Sequence, residues 1–392
     1  MTKETPFYFT KVECPICKTL NEFETVRMAA YTDEGRDTDF CPKNVKWRSP
    51  KYQRYNPLVF FAATCSNCHY TREFTQSFKE WKDDITFKTY RLKTVKERHL
   101  DHLAQADSII KQFGEAIDTP RFPNESAICK LHLAIFDEAL ADHPSALDLG
   151  RFYLRIGWIY RDLAKGENAS TQFLRGMMLD LDNQFATMRR ASAELQQEMA
   201  AFARQVFQQG QTEDLPVDVT AAMEPFSERF DNEVIALGEL QQQTDARLQE
   251  LGRLVEEYKA TVVGGDNGTL ANFGGHNSFT DFLLNLRQRW DGVVVNESEA
   301  LDKAVIYYEK AYKEGRDIAA GNQQIQASYL IAELSRRIGN YDKAREYFNS
   351  TIKHGQEFIY QNRQDQSRTV LARKILELAI QQGRDTQAAV KV

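Results

Sequence analysis

The chain has no long apolar run. Its longest, Leu58-Val59-Phe60-Phe61-Ala62-Ala63, falls far short of the ~20 residues that a membrane-spanning helix needs. Residues 1–20 show no apolar core of the signal-peptide kind, so the expectation is a soluble, cytoplasmic protein that does not engage a membrane. Charge of one sign is also lacking. Fifty basic residues face 56 acidic ones, a net −6, which excludes a polycation built to wrap nucleic acid along its whole length. Cysteine is scarce, six in 392 residues, too sparse for a disulfide-stapled miniprotein. At 42% hydrophobic and 27% charged, the composition supports neither wholesale disorder nor a fibre. No phosphate loop, His-Glu-x-x-His helix or serine or cysteine triad signature occurs, so catalysis is not favoured.

The few cysteines are concentrated. Five of the six lie within the first 70 residues. Cys14-Pro15-Ile16-Cys17 and Cys65-Ser66-Asn67-Cys68 each follow a β-forming run, Phe7-Tyr8-Phe9 and Val59-Phe60-Phe61. Two cysteines three positions apart in a tight turn aim both thiolates at one point, and two such turns supply a tetrahedral set. The expectation is a structural Zn2+ held by Cys14, Cys17, Cys65 and Cys68 in a small β zinc ribbon, with loop 18–64 inserted between its halves. Cys41 is read three ways: a fifth, exchanging thiolate, a reactive thiol, or a small packed side chain before Pro42. Asp37 and Asp39 share one face of an extended segment, and either fix their own turn or bind a cation, orient a ligand and work with Cys41 beside a metal. His69 would point away from the metal, and Cys129 sits among core positions of a helix.

Residues 1–100 carry 18 basic and 13 acidic side chains, the remainder 32 and 43. Lys43, Lys46, Trp47, Arg48, Lys51 and Arg54 crowd a stretch without acids, the pattern of a loop that grips a phosphate backbone and stacks bases. The same charge also suits the acidic helical remainder or an acidic partner.

Beyond about residue 96 the apolar period becomes helical. Asp302-Lys303-Ala304-Val305-Ile306-Tyr307-Tyr308 recurs as Asp342-Lys343-Ala344-Arg345-Glu346-Tyr347-Phe348, a repeat in which small residues let paired helices approach and large ones fill the next gap. Ala327 to Ile352 reads as one tetratricopeptide-like unit. Heptads over 181–206 and 230–262, with Gly210 and Pro216 between them, predict an antiparallel coiled-coil hairpin, or pairing of two chains. The glycine-rich stretch at 264–275 reads as a flexible return.

With Cys14 to Cys17, Asp37-Thr38-Asp39-Phe40-Cys41-Pro42, Asn56-Pro57-Leu58, Cys65 to Tyr70, Leu154 to Arg161, Tyr329 to Leu334 and Gly339-Asn340-Tyr341 in view, the chain resembles the uncharacterised bacterial family called domain of unknown function 2225. The resemblance covers about residues 7–180 and 300–355 and implies metal binding and helical repeats, without an established activity. His69 stands where a glycine is usual, and 181–299 looks like an insertion. The expected architecture is mainly α: a ribbon over 1–95, tetratricopeptide-like helices over 96–180, the hairpin over 181–263, a return and helix over 264–299, and further such helices and a charged tail over 300–392. The function this predicts is a zinc-binding adaptor that docks a protein or peptide, with nucleic-acid binding and metal-dependent catalysis as alternatives.

Overall fold

The structure is a computed structural model. It describes residues 5–49, 52–53, 55–120, 122–165 and 278–390, together with 275–276 and scattered positions from 187 to 253. The chain divides into two compact units, one of Met1–Ser170 with Thr269–Val392 and one of Thr171–Gly268. In the second unit the described positions are helical. Most of the heptad tracts, their turn and the glycine-rich return lie outside the described residues. Among the described residues no helix is long and apolar enough to cross a membrane.

The head of the first unit is made of three separate antiparallel hairpins. Strands β1 (Phe7–Glu13) and β2 (Leu20–Val26) pair from Phe7↔Val26 to Glu13↔Leu20. Strands β3 (Tyr31–Asp33) and β4 (Val45–Trp47) follow, then β5 (Ala62–Thr64) and β6 (Thr71–Glu73). The inserted loop is therefore shorter than expected. Residues 20–26 belong to the first hairpin, because alternation along Leu20–Val26 gives it a strand to pair with β1. Phe7 of β1 forms a small core with Ala30 and Trp47 of the insertion, and Tyr52, Tyr55 and Phe60 lie against it.

Four short helices lead out of the head: α1 (Gln76–Lys79), α2 (Ile85–Tyr90), α3 (Leu92–Ala104) and α4 (Ile109–Glu115). Helices α5 (Pro123–Ala139) and α6 (Ala146–Lys165) follow, the latter capped by the Ser145 hydroxyl, which accepts from the Asp148 N–H at 3.2 Å. After the second unit come α7 (Phe279–Arg287), α8 (Glu297–Glu314), α9 (Asn322–Arg337), α10 (Tyr341–Gln361) and α11 (Gln366–Val390). The expected C-terminal tail is thus a 25-residue helix, α11, held by buried Ala372, Ile375 and Ala379.

One continuous apolar core runs from Phe113 and Ile128 through Tyr153, Ile156, Leu301 and Tyr329 to Phe348 and Ile375. Fully burying each such side chain stabilises by about 1.5–3 kcal/mol. The repeat explains part of its geometry: Ala304 and Ala344 are fully buried on α8 and α10, and Tyr308 and Phe348 fill the adjoining space. Helix α6 approaches α8 closely because it carries glycines there. A Cβ at Gly157 would lie 2.8 Å from Leu301 Cδ2, and one at Gly150 would lie 3.2 Å from the Tyr308 backbone nitrogen. The α9–α10 turn needs a glycine for a different reason, since Gly339 has φ +82 and Asn340 then caps α10 at once.

Candidate metal centre

Each Cys-x-x-Cys motif is the turn of a β-hairpin, and the two turns share one backbone pattern. The Cys14 N–H donates to the Thr19 carbonyl at 2.9 Å and the Lys18 N–H to the Cys14 carbonyl at 3.0 Å; the Cys65 N–H to Tyr70 and the His69 N–H to Cys65 repeat this at 2.9 and 3.0 Å. The residue after each second cysteine is left-handed, Lys18 at φ 66 and His69 at φ 60. Glycine takes that conformation freely and other residues pay about 1–2 kcal/mol.

The turns face one another. The Sγ atoms of Cys14, Cys17, Cys65 and Cys68 all lie within 4.8 Å of one another, with Cys14–Cys68 at 3.6 Å and Cys17–Cys65 at 3.5 Å. No disulfide joins them. Among the described residues this is the one group of His, Cys, Asp and Glu side chains suited to hold a metal ion. Crowded thiols cannot all ionise without a cation: the neighbouring Cys65 sulfur raises Cys14 to about 12, and the Cys14 and Cys65 sulfurs raise Cys68 further. The donor chemistry and spacing fit a tetrahedral divalent ion.

Polar side chains that the motifs do not announce hold the second turn in place. Asn21, on β2, donates to the Thr19 carbonyl at 2.9 Å and to Cys65 Sγ at 3.4 Å, and its Oδ1 accepts from the Ser66 N–H at 2.9 Å. His99, fully buried on α3, places Nε2 2.9 Å from the Cys68 carbonyl and Nδ1 2.6 Å from Asp137 on α5. The second Asp137 oxygen accepts from the Thr71 N–H at 2.7 Å. His69 turns away from the sulfurs, its ring packed where a Cβ on Gly114 would fall within 2.1 Å.

The other expected site residues lie elsewhere. Loop 36–42 is a tight tip closed by Asp37 N–H to the Cys41 carbonyl at 2.8 Å, with Phe40 at φ 67. Its carboxylates meet arginines instead of the cysteines. Asp39, fully buried, receives Arg161 Nη2 at 2.7 Å, Arg161 Nη1 at 3.1 Å and Trp158 Nε1 at 3.1 Å. Asp37 takes Arg337 at 3.0 Å and Arg161 at 3.3 Å. Between them Thr38 donates its hydroxyl to the buried Glu333 at 2.5 Å, and its carbonyl accepts from the Tyr329 hydroxyl at 2.8 Å. Burial opposes the Arg161 charge, but the bonds to Asp39 outweigh it and hold the guanidinium above its usual range. Asp37 is also partly desolvated, yet the Thr38 N–H and Arg337 keep its carboxyl low. Both carboxylates additionally fix their own turn, accepting from Thr38 N–H at 2.8 Å and Cys41 N–H at 3.3 Å. Cys41 is buried, outside the sulfur cluster, with its thiol against the Pro42 carbonyl at 3.6 Å.

Of the basic aromatic loop, Trp47 is turned inward while the described basic side chains stay at the surface. Trp47 is buried in the small core with Phe7 and Ala30, and its Nε1 donates to the Tyr55 carbonyl at 2.8 Å, the usual pairing of a buried indole N–H. Lys46 pairs with Glu34 at 2.7 Å, Lys43 lies 4.0 Å from Asp37, and Arg48 is exposed. Lys51 and Arg54 lie outside the described residues. Cys129 is fully buried on α5, which pushes its thiol far up.

No curated protein and no solved structure matches the chain. The model of one bacterial family matches residues 7–215 and 288–372, which takes in both cysteine turns, loop 36–42, and helices α6 and α9 that hold it. The chain belongs to that family, described as an uncharacterized protein conserved in bacteria (DUF2225).

Proposed function

We propose that this protein is a non-catalytic scaffold, stapled at its head by a structural zinc ion, whose tetratricopeptide-like helices dock a protein partner in the reducing cytoplasm. One observation carries the reading: the donor set is all sulfur. Zinc bonds thiolates at about 2.3 Å, which sets the corners of a tetrahedron roughly 3.8 Å apart, close to the 3.5 and 3.6 Å between paired sulfurs here. Four thiolates fill that coordination and leave no position for water or substrate, the arrangement of structural zinc. Asn21 and the His99–Asp137 pair hold the turns at that spacing. All six cysteines are free thiols, which suits a reducing compartment.

The head is fastened to the helices by loop 36–42, so metal and loop together fix the surface a partner would meet. Apolar side chains stand exposed at the end of the helical array: Tyr360 on α10 and Val370 and Leu371 on α11. Partner capture with the wild-type protein and with the Tyr360→Ser/Val370→Ser variant tests the docking half. A partner retained by the wild type and lost by the variant supports it. A partner retained equally by both would place docking on another surface. One zinc per chain by elemental analysis tests the metal half.

A further inference from the structure

Helix α6 carries three arginines, and the structure answers the charge of two. Arg151 pairs with Glu73 and Asp148 at 2.9 Å each, and Arg161 with Asp39, Asp37 and Glu297. Arg155, between them, has no ion pair among the described residues. Its Nη1 donates to the Arg151 carbonyl at 2.9 Å, its plane lies 4.1 Å over the Phe61 ring, and its Nε is buried without an acceptor. A buried donor left unpaired is destabilising, and burial with the neighbouring Arg151 charge lowers the basicity of this guanidinium.

Arg155 lines a cavity of about 490 Å3 between α6, α8 and α9, within the size range of small-molecule sites. Arg36 and Arg151 also reach the wall, each already paired with a carboxylate outside it, Asp33 for the first and Glu73 and Asp148 for the second, so Arg155 is the cation left to a ligand; Leu154, Trp158 and Leu330 supply apolar wall, and no carboxylate lines the cavity. The adjoining part of the same helix shows what a carboxylate does there, since Asp39 sits on Arg161 with the Trp158 indole donating to it. Phe40 and Pro42 of the docked loop also wall the cavity, which favours a compact ligand over an extended chain.

We propose that this cavity binds a small organic anion, a carboxylate or phosphate joined to an apolar body, with the anionic group on Arg155 and the body against Leu154, Trp158 and Leu330. The zinc-loaded full chain is titrated calorimetrically with decanoate and with decyl phosphate, each below its micelle concentration, beside decanol and inorganic phosphate. Saturable one-site binding of an anionic amphiphile, about tenfold or more tighter than decanol, is expected; which of the two binds identifies the headgroup. Arg155→Met weakens that binding about tenfold or more, with zinc content and melting temperature held. Gln326→Glu, which sets a carboxylate into the cavity wall, weakens it too, and serves if the arginine variant misfolds. Decanol binding as tightly as decanoate, unchanged affinity in both variants, or binding of an acidic peptide where neither amphiphile binds would overturn the proposal.

Discussion

The head of the first unit contains six strands, none longer than seven residues, and its buried centre is built around the cysteines. Val12, Ile16 and Tyr70 cluster with the cysteines, joined by Phe78, Phe87 and Val95 from the first helices and Trp81 from the turn between the first two. The helical body has a core of leucines, isoleucines and aromatics that runs unbroken from α4 to α11. Isolated two-stranded hairpins are marginal in water, so such a head depends on a specific set of bonds, those between its charges and those of the proposed metal. The body distributes its stability over many interchangeable apolar contacts. The contrast teaches where single changes are decisive: one atom in the head, a whole side chain in the body.

The largest expected effect is therefore in the head. Structural zinc supplies on the order of 10 kcal/mol or more to a small domain. Chelation, or Cys65→Ser, should remove hydrogen-exchange protection from residues 7–73 while the helices between 279 and 361 stay protected. Circular dichroism that loses most of its helical signal on chelation would erase the distinction between the two regions.

Next comes the fastening between them. Asp39→Ala removes the buried carboxylate from Arg161, which keeps Asp37 and Glu297, so the cost is expected below the roughly 3–5 kcal/mol of a buried charge left wholly unpaired. Urea denaturation should show that loss with zinc content intact. Arg161→Ala should cost about as much, and the double variant less than the sum of the two.

In the body the comparable insult is steric. Gly157→Ala puts a methyl group 2.8 Å from Leu301 Cδ2 and is expected to cost about 1–3 kcal/mol through overpacking, read as a lower melting temperature without metal loss.

Two groups on α5 give the body its own pH signature. Burial pushes Glu125 up to about 7 and leaves one of its oxygens without a partner. Its folded pKa lies above the unfolded value, so it binds a proton more readily when folded and costs stability as pH rises from about 4.5 to 7. His132 is opposite: buried neutral, with Nδ1 donating to the Ile128 carbonyl and Nε2 accepting from the Val294 N–H, it is held down to about 4. The unfolded state binds that proton first, so stability falls as pH drops from about 6.5 to 4. Glu125→Gln should raise stability at pH 8 by on the order of 2 kcal/mol and change little at pH 4, which paired thermal melts will show.

The smallest effect is local. Lys18→Gly relieves a left-handed residue at φ 66 and should gain about 1 kcal/mol, offset in part by its contact over Trp81 at 4.2 Å.

Much of this was legible in the sequence for a physical reason. Ligand chemistry forces cysteines to fixed spacings, and helix packing forces small residues such as Ala304 and Ala344 to recur, so both leave periodic traces. The meeting of loop 36–42 with the helices left none, since Asp37, Trp158, Arg161, Tyr329, Glu333 and Arg337 come from three distant stretches. The available signal was charge out of place: Arg161 and Glu333 stand in otherwise apolar helix stretches, and two aspartates share a short loop. His99 and Asp137 were hidden in the same way, as polar residues on helices whose period alone called for core. Trp47 misled because an aromatic among lysines looks the same whether it stacks on a ligand or fills a core.

The most direct measurement is X-ray absorption at the zinc edge of the protein as isolated. One zinc per chain with four sulfur neighbours at about 2.3 Å is the predicted result. A shell containing nitrogen or oxygen, or a protein that folds its head with no metal bound, would contradict it.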